Sequence, residues 1–136
     1  MARFVDTNVL LYAIATDPAE ADKRATAEDL FDARDLVLST QVLGEFYVQA
    51  TRSARSTPLT HDQATAIIAS MRRYPVQPVT YGIVEAALAT RQRHQLSYWD
   101  AAILESARAA GCAEVLSQDL ADGRDYDGVV VVNPFA

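Results

Sequence analysis

The sequence predicts an α/β fold, a three-layer sandwich in which a mostly parallel, roughly five-stranded sheet is flanked by helices. Three observations predict it. Brief apolar runs recur along the chain, longer segments of helical periodicity lie between them, and the apolar runs do not alternate with polar residues. Strands buried on both faces read that way.

The strand runs, in order, are Arg3-Phe4-Val5, Leu36-Val37-Leu38, Val76 to Val79, Glu114-Val115-Leu116 and Val129 to Val132. Helical patterns fill the intervals: Val9 to Ala15, Ala19 to Ala33, Gln41 to Arg52, His61 to Tyr74, Tyr81 to His94 and Trp99 to Ala110. Thr60-His61-Asp62-Gln63 and Ser97-Tyr98-Trp99-Asp100 read as capping boxes that open two of these helices, and Gly111 closes the last as a C′ residue. No internal repeat or linker interrupts the pattern, so residues 1–136 are expected to form one domain.

A chain of 136 residues buries roughly two-thirds of its unfolded surface, which is enough for a core. Half the residues are apolar and 22% are charged, a globular composition rather than a disordered one. The apolar run Val9 to Ala15 is too short to span a bilayer, and only Arg3 precedes it as a basic residue, so neither a membrane span nor a signal peptide is expected. The single cysteine, Cys112, cannot form an internal disulfide and reads as a small buried residue. Together these features point to the cytoplasm.

The net charge of −6 argues against a protein that grips nucleic acid mainly by counterion release. Bound divalent cations invert that charge locally, and the 11 arginines, against the single Lys23, can supply basic patches on a rim.

In open α/β sheets ligands bind outside the carboxyl ends of the strands. There the chain carries Asp6 after the first strand, Glu45 on the helix after the second, and Asp119 after the fourth. Asp100 lies in the first turn of the helix that leads into that fourth strand, and joins the others if its helix starts at the same edge. Four carboxylates so placed repel by roughly 3 kcal/mol per pair at ~5 Å and an effective dielectric of about 20, and need a counter-charge. All-oxygen ligands suit Mg²⁺ or Mn²⁺ rather than zinc, as one ion or two.

Each acid also has a purely structural reading. Asp6 can cap the following helix, Asp100 can be the N3 member of its box, Glu45 can be a solvated helix residue, and Asp119 can form an Asx turn. Singly, the structural reading is favoured for Asp100 and Asp119 and is even for Asp6 and Glu45. Their joint placement favours the metal site.

Asp6-Thr7-Asn8 after the first strand, Glu45 within Gln41-Val42-Leu43-Gly44-Glu45-Phe46, Tyr98-Trp99-Asp100-Ala101, Leu116-Ser117-Gln118-Asp119-Leu120 and the closing Val132-Asn133-Pro134-Phe135 together resemble the PIN-domain family. More narrowly they are similar to the VapC-like toxins of type II toxin–antitoxin pairs. The resemblance implies a metal-dependent endoribonuclease that hydrolyses RNA phosphodiester bonds and leaves 5′-phosphate and 3′-hydroxyl ends. It implies Mg²⁺, with Mn²⁺ as a substitute, held by Asp6, Glu45, Asp100 and Asp119. Thr7, Asn8 and Ser117 fall at the family's small polar positions behind the metal ligands. It implies a cognate antitoxin and a homodimer, with the apolar Val9 to Ile14 helix contributing to such contacts. Gln118 departs from relatives that carry an acid there, which weakens the hold on a second ion.

Other candidates fare less well. His61 and His94 lie in separate helices without partners at zinc-ligand spacing, and Ser97 lacks the Gly-x-Ser-x-Gly context of a nucleophile. The clusters Arg52 with Arg55, Arg72 with Arg73, and Arg91 with Arg93 and His94 sit at helix ends, where the macrodipole usually explains them and RNA contact is the minority reading. A haloacid-dehalogenase-type phosphotransferase needs a second aspartate where Asn8 stands, and a receiver domain needs a late lysine, which is missing. The remaining alternatives are a PIN scaffold that binds protein without catalysis, and a DNA nuclease with the same site.

Overall fold

The structure, a computed structural model, describes residues 2–136. β1 (Arg3–Val5) leads into α1 (Thr7–Ala13), a 3-10 turn (Pro18–Glu20) and α2 (Ala21–Asp32). β2 (Leu36–Ser39) runs without a loop into α3 (Thr40–Ala50), and α4 (His61–Ser70), a 3-10 turn (Met71–Arg73) and β3 (Val76–Gln77) follow. α5 (Tyr81–His94), α6 (Tyr98–Ala109), β4 (Glu114–Leu116), β5 (Asp125–Tyr126) and β6 (Val129–Val132) complete the chain.

The strands form one sheet in the order β3-β2-β1-β4-β6-β5, parallel throughout except for the β5–β6 pair. This is the three-layer α/β sandwich expected, with six strands in place of five. The additional strand, β5, is two residues long and lacks an apolar run. It forms because Asp127 and Gly128 both adopt positive φ, 54° and 98°, in a two-residue hairpin loop whose twist suits the flanking strands. The expected strand over Val76 to Val79 shortens to Val76–Gln77, since Pro78 has no N–H to donate to a ladder.

The helices split where propensity is locally overridden. The pattern over Ala19 to Ala33 opens with a 3-10 turn at Pro18, whose preceding Asp17 side chain accepts from the Ala19 N–H. The pattern over His61 to Tyr74 tightens to a 3-10 turn at Met71. Thr60 and Gln63 form the full reciprocal capping box. In α6 Ser97 Oγ accepts from Asp100 N at 3.1 Å, but among the described residues the Asp100 carboxylate does not return a bond to the Ser97 N–H. Gly111, at φ 77°, ends α6 in a Schellman arrangement, with Cys112 N donating to Ala107 O and Gly111 N to Arg108 O.

Phe4, Val5, Leu36, Leu38, Val115, Leu116 and Val131 from the sheet pack with Val42, Phe46, Ile103 and Leu104 from the helices. Burying each such side chain contributes about 1.5–3 kcal/mol. α6 is buried almost all round, from Ala101 to Ala107, and its alanines let α5 approach closely. Arg3 clamps Asp35 with two bonds, Nε–Oδ2 at 2.7 Å and Nη2–Oδ1 at 3.0 Å, which fixes the start of β1 against the entry to β2. Among the described residues no helix is long and apolar enough to cross a membrane.

Because β1, β2 and β4 are parallel neighbours, the segments leaving them emerge at one edge. α6 runs back toward the start of β4, so its first turn lies at that edge as well.

Candidate functional site

Asp6 continues the ladder beyond β1, its N–H donating to Leu116 O at 3.0 Å, and it caps α1. Its two carboxylate oxygens have different partners: Oδ1 accepts from Thr7 N at 2.7 Å and Oδ2 from Ser117 Oγ at 2.7 Å. The cap reading of Asp6 is therefore correct, and it leaves Oδ2 turned toward the end of β4. The side chain is only 6% exposed. Burial pushes its carboxyl up to about 6, with Glu45 and Asp119 adding to the rise against the bonds from Ser117 and Thr7.

Glu45 reaches the same edge from α3. Thr7 Oγ1 donates to its Oε2 at 2.9 Å and Gln41 Nε2, one helical turn earlier, donates to its Oε1 at 2.7 Å. Asp119 is exposed on the loop after β4, where its Oδ2 accepts from Asn8 Nδ2 at 3.2 Å. Asn8 Nδ2 also lies 3.3 Å from Ser117 Oγ and 3.4 Å from Asp6 Oδ2, while its Oδ1 accepts from Gln118 N at 3.2 Å. Half-buried Asp100 is pushed up by burial, opposed by the Ser97 hydroxyl and reinforced by Asp119 and Glu45.

The four acids thus act on one another: Asp6 feels Glu45 and Asp119, and Asp100 feels the same two. Thr7, Asn8 and Ser117 each bond to at least one of the four. Among the described residues, however, no three His, Cys, Asp or Glu side chains close around one point as a ready-made cage. Such an open acidic cluster still suits Mg²⁺, which keeps several waters and takes only one or two carboxylates directly. The donors are all oxygen, and a carboxyl as buried as Asp6, facing two further acids, lacks the counter-charge that a cation supplies.

Gln118 turns away from the acids, its Oε1 accepting from Tyr12 OH at 2.5 Å. His61 Nδ1 lies 2.9 Å from Tyr47 OH, and His94 pairs with Asp127; neither approaches the carboxylates through these bonds. Two residues at the site lie outside the sequence-derived candidates. Gln41 is signalled only by its i, i+4 spacing to Glu45, and Trp99 only by its place beside Asp100. Gln41 Nε2 links them, since it also lies 3.2 Å from the Trp99 carbonyl oxygen.

A three-layer sandwich around a mostly parallel sheet, with acidic side chains gathered at the sheet's carboxyl edge, defines an α/β protein of the kind that binds ligands at that edge. The chain belongs to the PIN domain family, whose model matches residues 3–121. Among solved structures it is similar to the VapC20 toxin of Mycobacterium tuberculosis, described as cleaving the sarcin-ricin loop, at 24% identity and a TM-score of 0.67 over 87% of this chain and 92% of that one. It is similar to a chain of a toxin–antitoxin complex from Klebsiella pneumoniae at 22% identity and a TM-score of 0.68, with 98% of both chains covered. A chain of VapBC2 from Rickettsia felis, bound to a promoter DNA fragment, matches at 14% identity and a TM-score of 0.66 over 96% of this chain and 97% of that one. No curated protein matches the sequence.

Proposed function

We propose that this chain is a divalent-metal-dependent endoribonuclease, the toxin of a toxin–antitoxin pair, acting as one domain over residues 1–136 in the cytoplasm. The observation that carries the reading is the buried Asp6 carboxylate, which shares its field with Glu45 and Asp119 while Asp100 feels the same two. Clustered acids without basic partners cost stability, and a bound cation offsets that cost. Membership of the PIN family supports nuclease chemistry, and the similarity to toxins solved with their antitoxins supports a protein partner.

Asp6, Glu45, Asp100 and Asp119 would hold Mg²⁺, or Mn²⁺ in its place. When bound, the ion supplies charge neutralisation at the RNA phosphate and a water of lowered pKa for hydrolysis. The chain's own work is to orient oxygens. Ser117 and the Thr7 N–H hold the two oxygens of Asp6, Thr7 Oγ1 and Gln41 hold those of Glu45, and Asn8 holds Asp119. These bonds aim the carboxylate oxygens of Asp6, Glu45 and Asp119, as groups behind a metal's direct ligands do. The half-buried apolar residues of α1, Leu11 and Tyr12, are available to a second copy or an antitoxin.

The test is incubation of the purified chain with labelled single-stranded RNA, structured RNA and matching DNA, in Mg²⁺, Mn²⁺ or EDTA, beside Asp100→Asn. RNA cleavage that needs the metal and vanishes in the variant is expected. Cleavage that persists in EDTA, or a fully active and folded Asp100→Asn chain, overturns the proposal.

A further inference from the structure

Building on the ribonuclease reading, we infer that the exposed indole of Trp99 is a stacking platform for an unpaired nucleobase, held beside the phosphate that the carboxylates address. Trp99 is 63% exposed, an unusual state for the largest apolar side chain. It immediately precedes Asp100, so its backbone is placed by the same first turn of α6. The Tyr98 ring meets it edge-on, with centroids 5.0 Å apart at 78°, which supports the indole's orientation. Gln41 Nε2 bonds both Glu45 Oε1 at 2.7 Å and the Trp99 carbonyl oxygen at 3.2 Å, and so ties α6 to α3 at the site.

Trp99 forms one wall of an open groove with Tyr98, Val48, Val79, Gln41 and Glu45. The lining is predominantly apolar, and Glu45 is its one charged member among the described residues. Glu45 therefore belongs to the groove and to the acidic cluster at once. A molecule lying along this groove with a flat apolar portion on Trp99 places its next polar portion at the carboxylates. A nucleotide has that shape: a π-face on one side of the sugar and a phosphate on the other.

The charge of the chain strengthens the argument. At −6 it gains little from counterion release. Stacking is available to a protein of any net charge, tolerates every base, and contributes about 5- to 150-fold in affinity per base. It also requires the base to be unpaired, so the groove selects single-stranded segments over duplex.

Trp99 is the single tryptophan of the chain, so its emission reports on the groove alone. The experiment titrates the wild-type chain in Mg²⁺ with a mixed-sequence single-stranded RNA decamer of hydrolysis-resistant phosphorothioate linkages and with an abasic ribose decamer of the same linkages. Binding is read from the anisotropy of the labelled strand and stacking from Trp99 emission. We expect the base-bearing strand to quench the emission and bind, Trp99→Ala to weaken that binding about 5- to 150-fold, and Trp99→Phe to restore most of it. The abasic strand is expected neither to quench nor to respond to Trp99→Ala. Tight binding of the base-bearing strand with unchanged emission and no effect of Trp99→Ala overturns the stacking role and leaves the ribonuclease reading standing. Failure of every RNA to bind overturns both. Emission that shifts with protein concentration and not with RNA assigns the groove to a second copy of the chain and overturns the inference.

Discussion

Ser117 Oγ donates to Asp6 Oδ2 at 2.7 Å, a bond between residues 111 positions apart that joins the end of β4 to the end of β1. It is fully buried, and it exists because the two strands are parallel neighbours paired Val5 with Leu116. The same hydroxyl accepts from Asp119 N at 3.2 Å. One serine thus couples two acids of the site, and the consequences can be measured.

Asp6→Asn and Asp100→Asn are expected to abolish RNA cleavage while the fold persists, because an amide preserves shape and removes the charge that would draw a cation. The check is activity beside circular dichroism and a urea midpoint. Unfolding of both variants contradicts the assignment.

The metal-free chain should lose stability as pH rises. Asp6 holds its proton to about 6 in the folded state, against an ordinary 3.8. Between those values the folded chain binds more protons than the unfolded one, so this group's contribution, fully present below the unfolded value, is lost as pH climbs through the window. The loss amounts to about 3 kcal/mol in all. The difference in stability between Asp6→Asn and wild type in EDTA should therefore widen from pH 4 toward pH 7, on the order set by that shift. A difference that stays constant with pH contradicts the prediction.

Asn8→Ala should reduce cleavage about 10- to 100-fold with little change in stability, since it removes the donor that orients Asp119 and shares contacts with Asp6 and Ser117. Single-turnover rates at saturating Mg²⁺ separate this from weakened metal binding. A wild-type rate rules out the orienting role.

Arg108→Ala should destabilise the chain by about 2 kcal/mol while sparing the site. Arg108 donates to buried Glu105 at 3.0 Å and to the carbonyls of Tyr126 and Asp127 at 2.8 and 2.7 Å, so it fastens the β5–β6 hairpin to α6. Its partial exposure discounts the ion pair but not the carbonyl bonds. Urea unfolding gives the value; an unchanged midpoint contradicts the clamp.

Periodicity and strand-end logic made the parallel core and the placement of Asp6, Glu45, Asp100 and Asp119 legible before any coordinates. The features that escaped are those fixed by tertiary pairing or by turn geometry. β5 has no apolar run, although the Asp127-Gly128 pair that makes it is a hairpin signal in its own right. Pro78 shortens β3 for a reason visible in the sequence, whereas no residue around Met71 announces the change from α to 3-10 geometry there. Gln41 and Trp99 escaped because an amide and an aromatic carry no charge pattern, and only the approach of α6 to α3 joins them. The open spacing of the acids is likewise a matter of side-chain placement, which spacing along the chain does not encode.

The most direct measurement is calorimetric titration of Mg²⁺ and Mn²⁺ into the metal-stripped chain and into Asp6→Asn. The account predicts saturable binding to the wild type, a raised thermal midpoint in the presence of either ion, and loss of both in the variant. Binding of equal strength by the two chains, or no binding by either, contradicts the assignment of these carboxylates as a cation site.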